Sequence, residues 1–320
     1  MELKPRHVVV VRGMQGLGDN IYQRPVVRWL STQYPGGVYL KTPWPQLYQD
    51  MPLVRCLPVN STLRTQSKNI ARSRSLYAAA ARAVMTRYGR QEVVTTEYRL
   101  AYSHPVDVAV PIYQSLQQSV GMKSPYHLAL GEPATSRRKI IVIRPGTVRT
   151  EWMASARNPK QEYVQAAIDF FNSQGFETIV VADMAPMLEV YASFRPLGAS
   201  TYYENGELSV TEVIELVRSA HGVVSGVGFM VPLCQAVGTP AVILHGGAGG
   251  YNSPWCITAP SAIALHHVLP RPYCLCRDYL HNCHKIIDPL TPSRPIRFPI
   301  SNPHKPLPLN PLPPDPVSYQ

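Results

Sequence analysis

Apolar residues fall along the chain in short continuous runs that alternate with segments of helical periodicity, and glycine or proline marks most of the changes of pattern. His7 to Val11 is a β-branched run that predicts a buried strand. Gly13-Met-Gln-Gly-Leu-Gly18 is a glycine-rich turn, and Asp19-Asn20 offers an N-cap for an amphipathic helix over Ile21 to Gln33, stopped by Tyr34-Pro-Gly-Gly37. Val38-Tyr-Leu40 predicts a second strand, and a strand–helix–strand opening implies a parallel sheet with helices on its faces. Ser73 to Arg87, rich in Ala and Arg, predicts a helix, and Ala101 to Ile112 a return to the sheet.

A second α/β unit begins at Lys139. Ile140-Ile-Val-Ile143 reads as a buried strand, followed by the turn Arg144-Pro-Gly146, a helix over Pro159 to Ser173 and the strand Thr178-Ile-Val-Val181. Val210 to Ala220 predicts a helix, Gly222 to Ser225 a strand, Phe229 to Val237 a helix closed by Gly238, and Ala241 to Leu244 a last strand ending at Gly246-Gly247. Two successive units of this kind predict two facing doubly wound domains, 1–138 and 139–288, with ligands expected outside the carboxyl ends of the strands and hence in the cleft between them. The remainder, 289–320, has 11 prolines in 32 residues and forms neither helix nor inner strand; it is a linker or motif, or an arm packed back on the first domain.

Composition narrows the class. The 320 residues are 45% hydrophobic and 16% charged, enough for a sizeable core and against whole-chain disorder. No apolar run reaches the roughly 18 residues of a membrane span, and the N-terminus shows no signal-peptide pattern, so the expectation is a cytoplasmic protein, whether peripheral to an inner membrane or in a phage-infected cell. The net charge of +11 is unevenly placed: Met1 to Arg138 holds 18 basic and 7 acidic residues, while Lys139 to Gln320 balances 13 against 13. Nine cations lie between Arg55 and Arg99. They are either a solvated helix face or a docking surface for a polyanion.

The residues Val8-Val-Val-Val-Arg12, Gly16-Leu-Gly-Asp-Asn-Ile-Tyr-Gln-Arg-Pro25 and Val26-Val-Arg-Trp-Leu30, followed much later by Gln235-Ala-Val-Gly-Thr-Pro-Ala-Val-Ile-Leu-His-Gly246, resemble the ADP-heptose:lipopolysaccharide heptosyltransferases of glycosyltransferase family 9. The resemblance covers about Val8 to Gly247, apart from Pro43 to Arg138. It implies a GT-B fold, two facing Rossmann-like domains, here with a proline-rich C-terminal arm. It also implies inverting, metal-independent transfer from a nucleotide sugar in the interdomain cleft to an acceptor held by the first domain. Asp19 then matches the motif carboxylate that takes the acceptor's proton; the alternative is that Asp19 only caps its helix. Gly16 and Gly18 accompany it, and Ser225, Gly226, Gly228, Phe229 and Met230 form the donor loop. This loop departs from the family's Asp-Ser-Gly-x-x-His, with Val227, Gly228, Phe229 and Pro232 at the Asp, Ser, Gly and His positions. Backbone amides at a helix N-terminus can still hold a diphosphate. Arg144, Arg149 or Arg157 could add charge, Arg157 being preferred, and Gly246-Gly247 a cradle. The acceptor is expected to be anionic, a lipopolysaccharide core or a hydroxylated base in DNA. The competing reading is a non-enzymatic relic that binds nucleotide or nucleic acid. A Rossmann dehydrogenase fails, because Val38-Tyr-Leu-Lys-Thr42 lacks the expected ribose-binding acid.

Six cysteines remain. Cys234 reads as a core residue. Cys274, Cys276 and Cys283, with Cys256 or His284 as a fourth ligand, are candidates for a structural zinc, against buried free thiols or a disulfide.

Overall fold

The computed structural model describes residues 6–77, 92–102, 110–260 and 265–287. The proline-rich tail and most of the Ser73 to Arg87 helix reading lie outside these residues.

The first sheet is built from β1 (Arg6–Arg12), β2 (Val38–Lys41), β3 (Val54–Leu57) and β4 (Glu92–Arg99), all parallel in the order β3-β2-β1-β4. Val8 to Val11 are buried on both faces, as expected of a central parallel strand read from a continuous apolar run. Strand β4 lies ahead of the strand expected at Ala101 to Ile112, most of which (103–109) lies outside the described residues. Helix α1 (Leu17–Gln33) starts earlier than its periodicity suggested: the chain is already helical at Leu17, Gly16 is its extended N-cap, and Asp19 sits within the first turn. The turn before it is pinned by side chains. Asn20 Nδ2 donates to the carbonyls of Met14 at 2.6 Å and Gly16 at 2.9 Å, and Gln23 Oε1 accepts from the Met14 amide at 2.8 Å. Among the described residues this unit also has the helices α2 (Arg64–Arg72) and α3 (Ile112–Val120).

The second sheet has six parallel strands in the order β12-β11-β10-β5-β7-β9, namely β5 (Arg138–Arg144), β7 (Glu177–Val181), β9 (Thr201–Tyr203), β10 (Ala220–Gly226), β11 (Ala241–Leu244) and β12 (Leu265–Val268). Helices α4 (Gln161–Ser173), α5 (Val210–Ser219) and α6 (Met230–Val237) match the periodic segments closely; a Ser209/Glu212 capping box starts α5, and left-handed Gly238 ends α6. An antiparallel pair, β6 (Thr147–Arg149) with β8 (Glu189–Tyr191), stands at the cleft. Two short helical turns, α7 (Gly249–Asn252) and α8 (Pro254–Ile257), precede β12.

The two units share one apolar core, because α1 packs against α6. Their contact is close at Gly18, where a Cβ would lie 3.1 Å from Phe229 Cα. This glycine is therefore what lets the glycine turn approach the chain at Phe229. No helix among the described residues is long and apolar enough to cross a membrane.

Candidate functional site

The carboxyl ends of β1, β5, β7 and β10 open on a cavity of about 320 Å³ lined from both units. That is near the lower end of ordinary ligand pockets. From the first unit come Gly16, Gly18, Asp19, Tyr22, Trp44, Lys68 and Arg72; from the second come Arg144, Arg157, Asp183, Tyr203, Ser225, Gly226, Gly228, Phe229 and Met230.

Asp19 lies in the first turn of α1. Tyr102 Oη donates to its Oδ1 at 2.6 Å, and a backbone hydrogen bond at Gly16 reaches it as well. The capping alternative is thus partly right: Asp19 reaches back to the N-cap from inside the helix. Burial pushes its pKa up, and this outweighs the Tyr102 and Gly16 hydrogen bonds and the charge of Arg157, which pull it down. A carboxylate with a raised pKa is a stronger base than a free aspartate. Tyr102, just beyond β4, escaped the sequence reading because no motif frames it.

The cations of the second unit differ in how far they are committed. Glu189 is 2% exposed and accepts from Arg149 at 2.8 Å, Arg144 at 3.3 Å, Arg64 at 3.2 Å and Thr147 Oγ1 at 2.8 Å. Arg144 therefore already has its counter-charge and also lies 5.8 Å over the Phe229 ring. Arg157 makes no ion pair among the described residues and feels the charge of Asp19 only at longer range: its Nε is buried with no hydrogen-bond partner, and the guanidinium stands 6.0 Å over the Trp152 ring. Burial, then the like charge of Arg149, lowers its pKa.

The basic stretch of the first unit is not a free surface throughout. Lys68 Nζ meets Asp183 Oδ1 at 3.0 Å and the carbonyls of Asn205 and Gly206 at 3.0 and 3.2 Å; Arg64 pairs with Asp183 at 3.1 Å; and Arg72 reaches the Gly206 carbonyl at 3.1 Å. These three cations tie α2 to the second unit across the cleft. Burial raises the Asp183 pKa, but hydrogen bonds from Lys68 and Arg64 outweigh it and hold the group below the usual range. Arg82, Arg87 and Arg90 lie outside the described residues.

Other expected donor contacts need correction. Ser225 lines the cavity, but its hydroxyl is spent on the Gly226 carbonyl at 2.7 Å. The Met230 side chain is buried in the core. Gly246 and Gly247 are not among the residues that line the cavity. They are buried against Asn158, Ala156 and Cys283 so closely that a Cβ on either would clash. Gly228, by contrast, has open space where its side chain would be.

All six cysteines are free. The metal-type cluster is Cys274, Cys276, His281 and Cys283, whose ligand atoms lie within 4.8 Å of one another. Cys256 is not part of it: this thiol sits in the first turn of α8, accepting from Ser253 Oγ at 3.1 Å. His281 takes the place expected of Cys256 or His284. The group fits a metal. A tetrahedral zinc with bonds of about 2.0–2.3 Å sets its ligands roughly 3.5–3.8 Å apart. The observed separations are 3.5 Å for Cys276 to Cys283, 3.6 Å for Cys274 to His281 and 3.3 Å for His281 to Cys283.

Neither a protein-family profile nor a curated protein sequence matches the chain. Solved structures do match. The iron-containing dodecameric glycosyltransferase TibC of enterotoxigenic E. coli H10407 aligns over 89% of this chain and 65% of its own, at 17% identity and TM-score 0.55. E. coli heptosyltransferase WaaC, solved with ADP-2-deoxy-2-fluoro heptose, aligns over 85% of this chain and 95% of its own, at 14% identity and TM-score 0.51. A family 9 glycosyltransferase of Veillonella parvula aligns over 84% and 89%, at 14% identity and TM-score 0.51. The chain has the GT-B fold of the heptosyltransferases. It spans just under two thirds of TibC and nearly all of WaaC.

Proposed function

We propose that the chain is an inverting glycosyltransferase that moves a sugar from a nucleotide-sugar donor to a hydroxyl of an anionic acceptor. One observation carries this reading: the carboxylate of Asp19, on the first unit, and the uncommitted guanidinium of Arg157, on the second, line the same cavity. Asp19 takes the proton of the acceptor hydroxyl as its oxygen bonds to the anomeric carbon. The bond from that carbon to the diphosphate breaks, and the nucleoside diphosphate leaves with the electron pair. Arg157 neutralises the charge that gathers on the leaving phosphate, aided by the backbone at the start of α6. The chemistry asks for no catalytic metal. TibC and WaaC, a glycosyltransferase and a heptosyltransferase of the same fold, support the reaction class; so does the ADP-heptose analogue bound to WaaC for a nucleotide-diphosphate donor.

The acceptor, a lipopolysaccharide core or DNA, meets the first domain, whose charge excess is reduced where Arg64, Lys68 and Arg72 face the second unit. We assign residues 1–138 to the acceptor side, 139–288 to the donor side and the reaction to the cytoplasm. At Cys274, Cys276, His281 and Cys283 we assign a structural zinc; iron, present in TibC, is the other metal that metal analysis should quantify.

The absence of an acid or histidine at Val227 and Pro232 favours a second reading, a nucleotide-binding relic without turnover. Hydrolysis and transfer assays on a panel of nucleotide sugars, with wild type and Asp19→Asn, separate the two. Turnover that collapses in Asp19→Asn supports the enzyme; binding without turnover in wild type supports the relic.

A further inference from the structure

The loop that carries Arg157 has little structure of its own. It is a single 3₁₀ turn, Ser155–Arg157, capped by Ala154 and followed by an extended Asn158. A buried guanidinium with an unpartnered nitrogen gains by swinging out to water, so this loop must be held from elsewhere. The holding contacts come from the cysteine segment and from the glycine turn beneath it. The Ala156 amide donates to the Tyr279 carbonyl at 2.9 Å, and Lys285 Nζ donates to the Ser155 carbonyl at 2.7 Å. The Gly246 amide donates to the Arg157 carbonyl at 3.2 Å. The methyl of Ala156 is fully buried in a small cluster with Ala248 and Cys283, against which Cys274 and Cys276 pack.

The cysteine segment is itself irregular from 271 to 287. The amides of Gly249 and Gly250 donate to the carbonyls of Cys274 and Cys276 at 2.9 and 3.1 Å, and Gly247 is bare of a side chain where Cys283 presses on it. Only Gly fits there. The glycine run is thus the seat of the cysteine segment, and the segment is the lid on the Arg157 loop. Four ligand atoms converge at the centre of that lid.

We propose that a metal ion bound by Cys274, Cys276, His281 and Cys283 is the strut that holds Arg157 in the cleft, so that metal occupancy sets the affinity for nucleoside diphosphate. This rests on Arg157 being the phosphate ligand, as argued above. The metal takes no part in the chemistry; it closes an irregular segment, seated on the glycine run, whose contacts end at the guanidinium-bearing turn.

The experiment is a thermodynamic cycle. Wild type and Arg157→Met are purified under reducing conditions, their metal content is measured, and each is stripped with chelator and reloaded with zinc. ADP, UDP, GDP and CDP are titrated calorimetrically at each stage, with circular dichroism confirming that the sheets persist. The expected result is at least tenfold weaker binding by stripped wild type, recovery on reloading, and no further loss when Arg157→Met is stripped. Should stripping unfold the chain, Gly247→Ala replaces it: the added methyl presses on Cys283 while all four ligands remain, and binding should again weaken in the wild-type background only. Binding unchanged by metal removal, an equal loss in both backgrounds, or a protein that holds no metal overturns the proposal. Metal-loaded wild type that binds none of the four diphosphates overturns the reading of the cleft itself, and the strut with it.

Discussion

Replacing Arg157 by Met should move binding and stability in opposite directions. The side chain keeps its reach and apolar stem but loses the guanidinium. A charge-assisted hydrogen bond to a phosphate oxygen is worth about 1.5–3 kcal/mol. At 1.4 kcal/mol per factor of ten, nucleoside diphosphate affinity should fall by about 10- to 150-fold. The ligand-free protein faces another balance. Its Nε is buried without a partner, a penalty of about 1–3 kcal/mol that the substitution removes. Against this, the contact with the Trp152 ring at 6.0 Å is lost, about 0.5–1 kcal/mol at a partly exposed site. The difference lies between about zero and 2.5 kcal/mol in favour of the variant. Domains of 150–250 residues shift by about 2–4 °C per kcal/mol, so Tm should hold or rise by a few degrees. Calorimetric titration and a thermal melt on the same preparations give both numbers. A variant that melts several degrees lower and binds as well as wild type would show that Arg157 is a structural residue and sink the argument.

Tyr102→Phe removes a donor to the charged form of Asp19, so the carboxyl group, already raised by burial, should rise further and carry the acid limb of the kcat profile to higher pH. KM for the donor should barely move, and an unshifted acid limb would separate Tyr102 from the base. A second pH effect lies far from the cleft, in the chain Tyr273–His245–His267–Thr258, joined at 3.1, 2.9 and 3.1 Å. Burial lowers His245 to about 3 and His267 to about 4, so the folded state refuses protons that the unfolded chain accepts below about 6.5. This contribution is complete above pH 6.5 and is lost as pH falls toward 4 and then 3. The melting temperature of wild type should fall over that window, and that of a His245→Gln, His267→Gln variant should fall less; parallel curves would refute it.

The alternation of apolar runs and periodic segments was enough to read the central strands β5, β7, β10 and β11 and the three main helices of the second unit. Those strands are largely buried and α6 has its own stop at Gly238, whereas the partly exposed β9 and β12 at the sheet edges and the β6–β8 pair carry no such run and went unread. The first unit was harder. Its opening was legible because Val8 to Val11 and the glycine turn are local signals, whereas β3, β4 and the position of α2 depend on pairing partners far along the chain. Site residues divide in the same way. Asp19 belongs to a contiguous motif and was found, while Tyr102 meets it from 83 residues away. The charge excess was visible, but composition cannot say that Arg64, Lys68 and Arg72 face anions and carbonyls of the other unit rather than solvent. The cysteine group was visible too, with the wrong fourth ligand: His281 lies five residues past Cys276, and only the turn of an irregular segment brings its ring to the sulfurs. The glycines at 246 and 247 are ambiguous in sequence because a glycine makes room equally for a ligand or for another stretch of the same chain, and here the chain lies against both.

Gly228 tests whether the departed donor loop still binds through its backbone. The loop carries Val227 and Pro232 where the pattern it resembles has an acid and a histidine, so whatever it contributes to binding must come from main-chain groups at the start of α6, with the Phe229 ring beside them. Gly226 could not report on this, because a Cβ there would lie 2.9 Å from Pro159 Cδ and disturb the fold. Nothing lies within 4 Å of a Cβ at Gly228, which also lines the cavity. Gly228→Val should therefore leave the thermal melt within about 1 °C of wild type, as expected of a substitution that meets no neighbour. The valine would project into a cavity of only about 320 Å³ and crowd the amides that a diphosphate needs, so nucleoside diphosphate binding should weaken at least tenfold. Equal affinity in the two proteins, at equal stability, would mean that the phosphates lie away from α6, and Arg157 would then have to hold them without the helix.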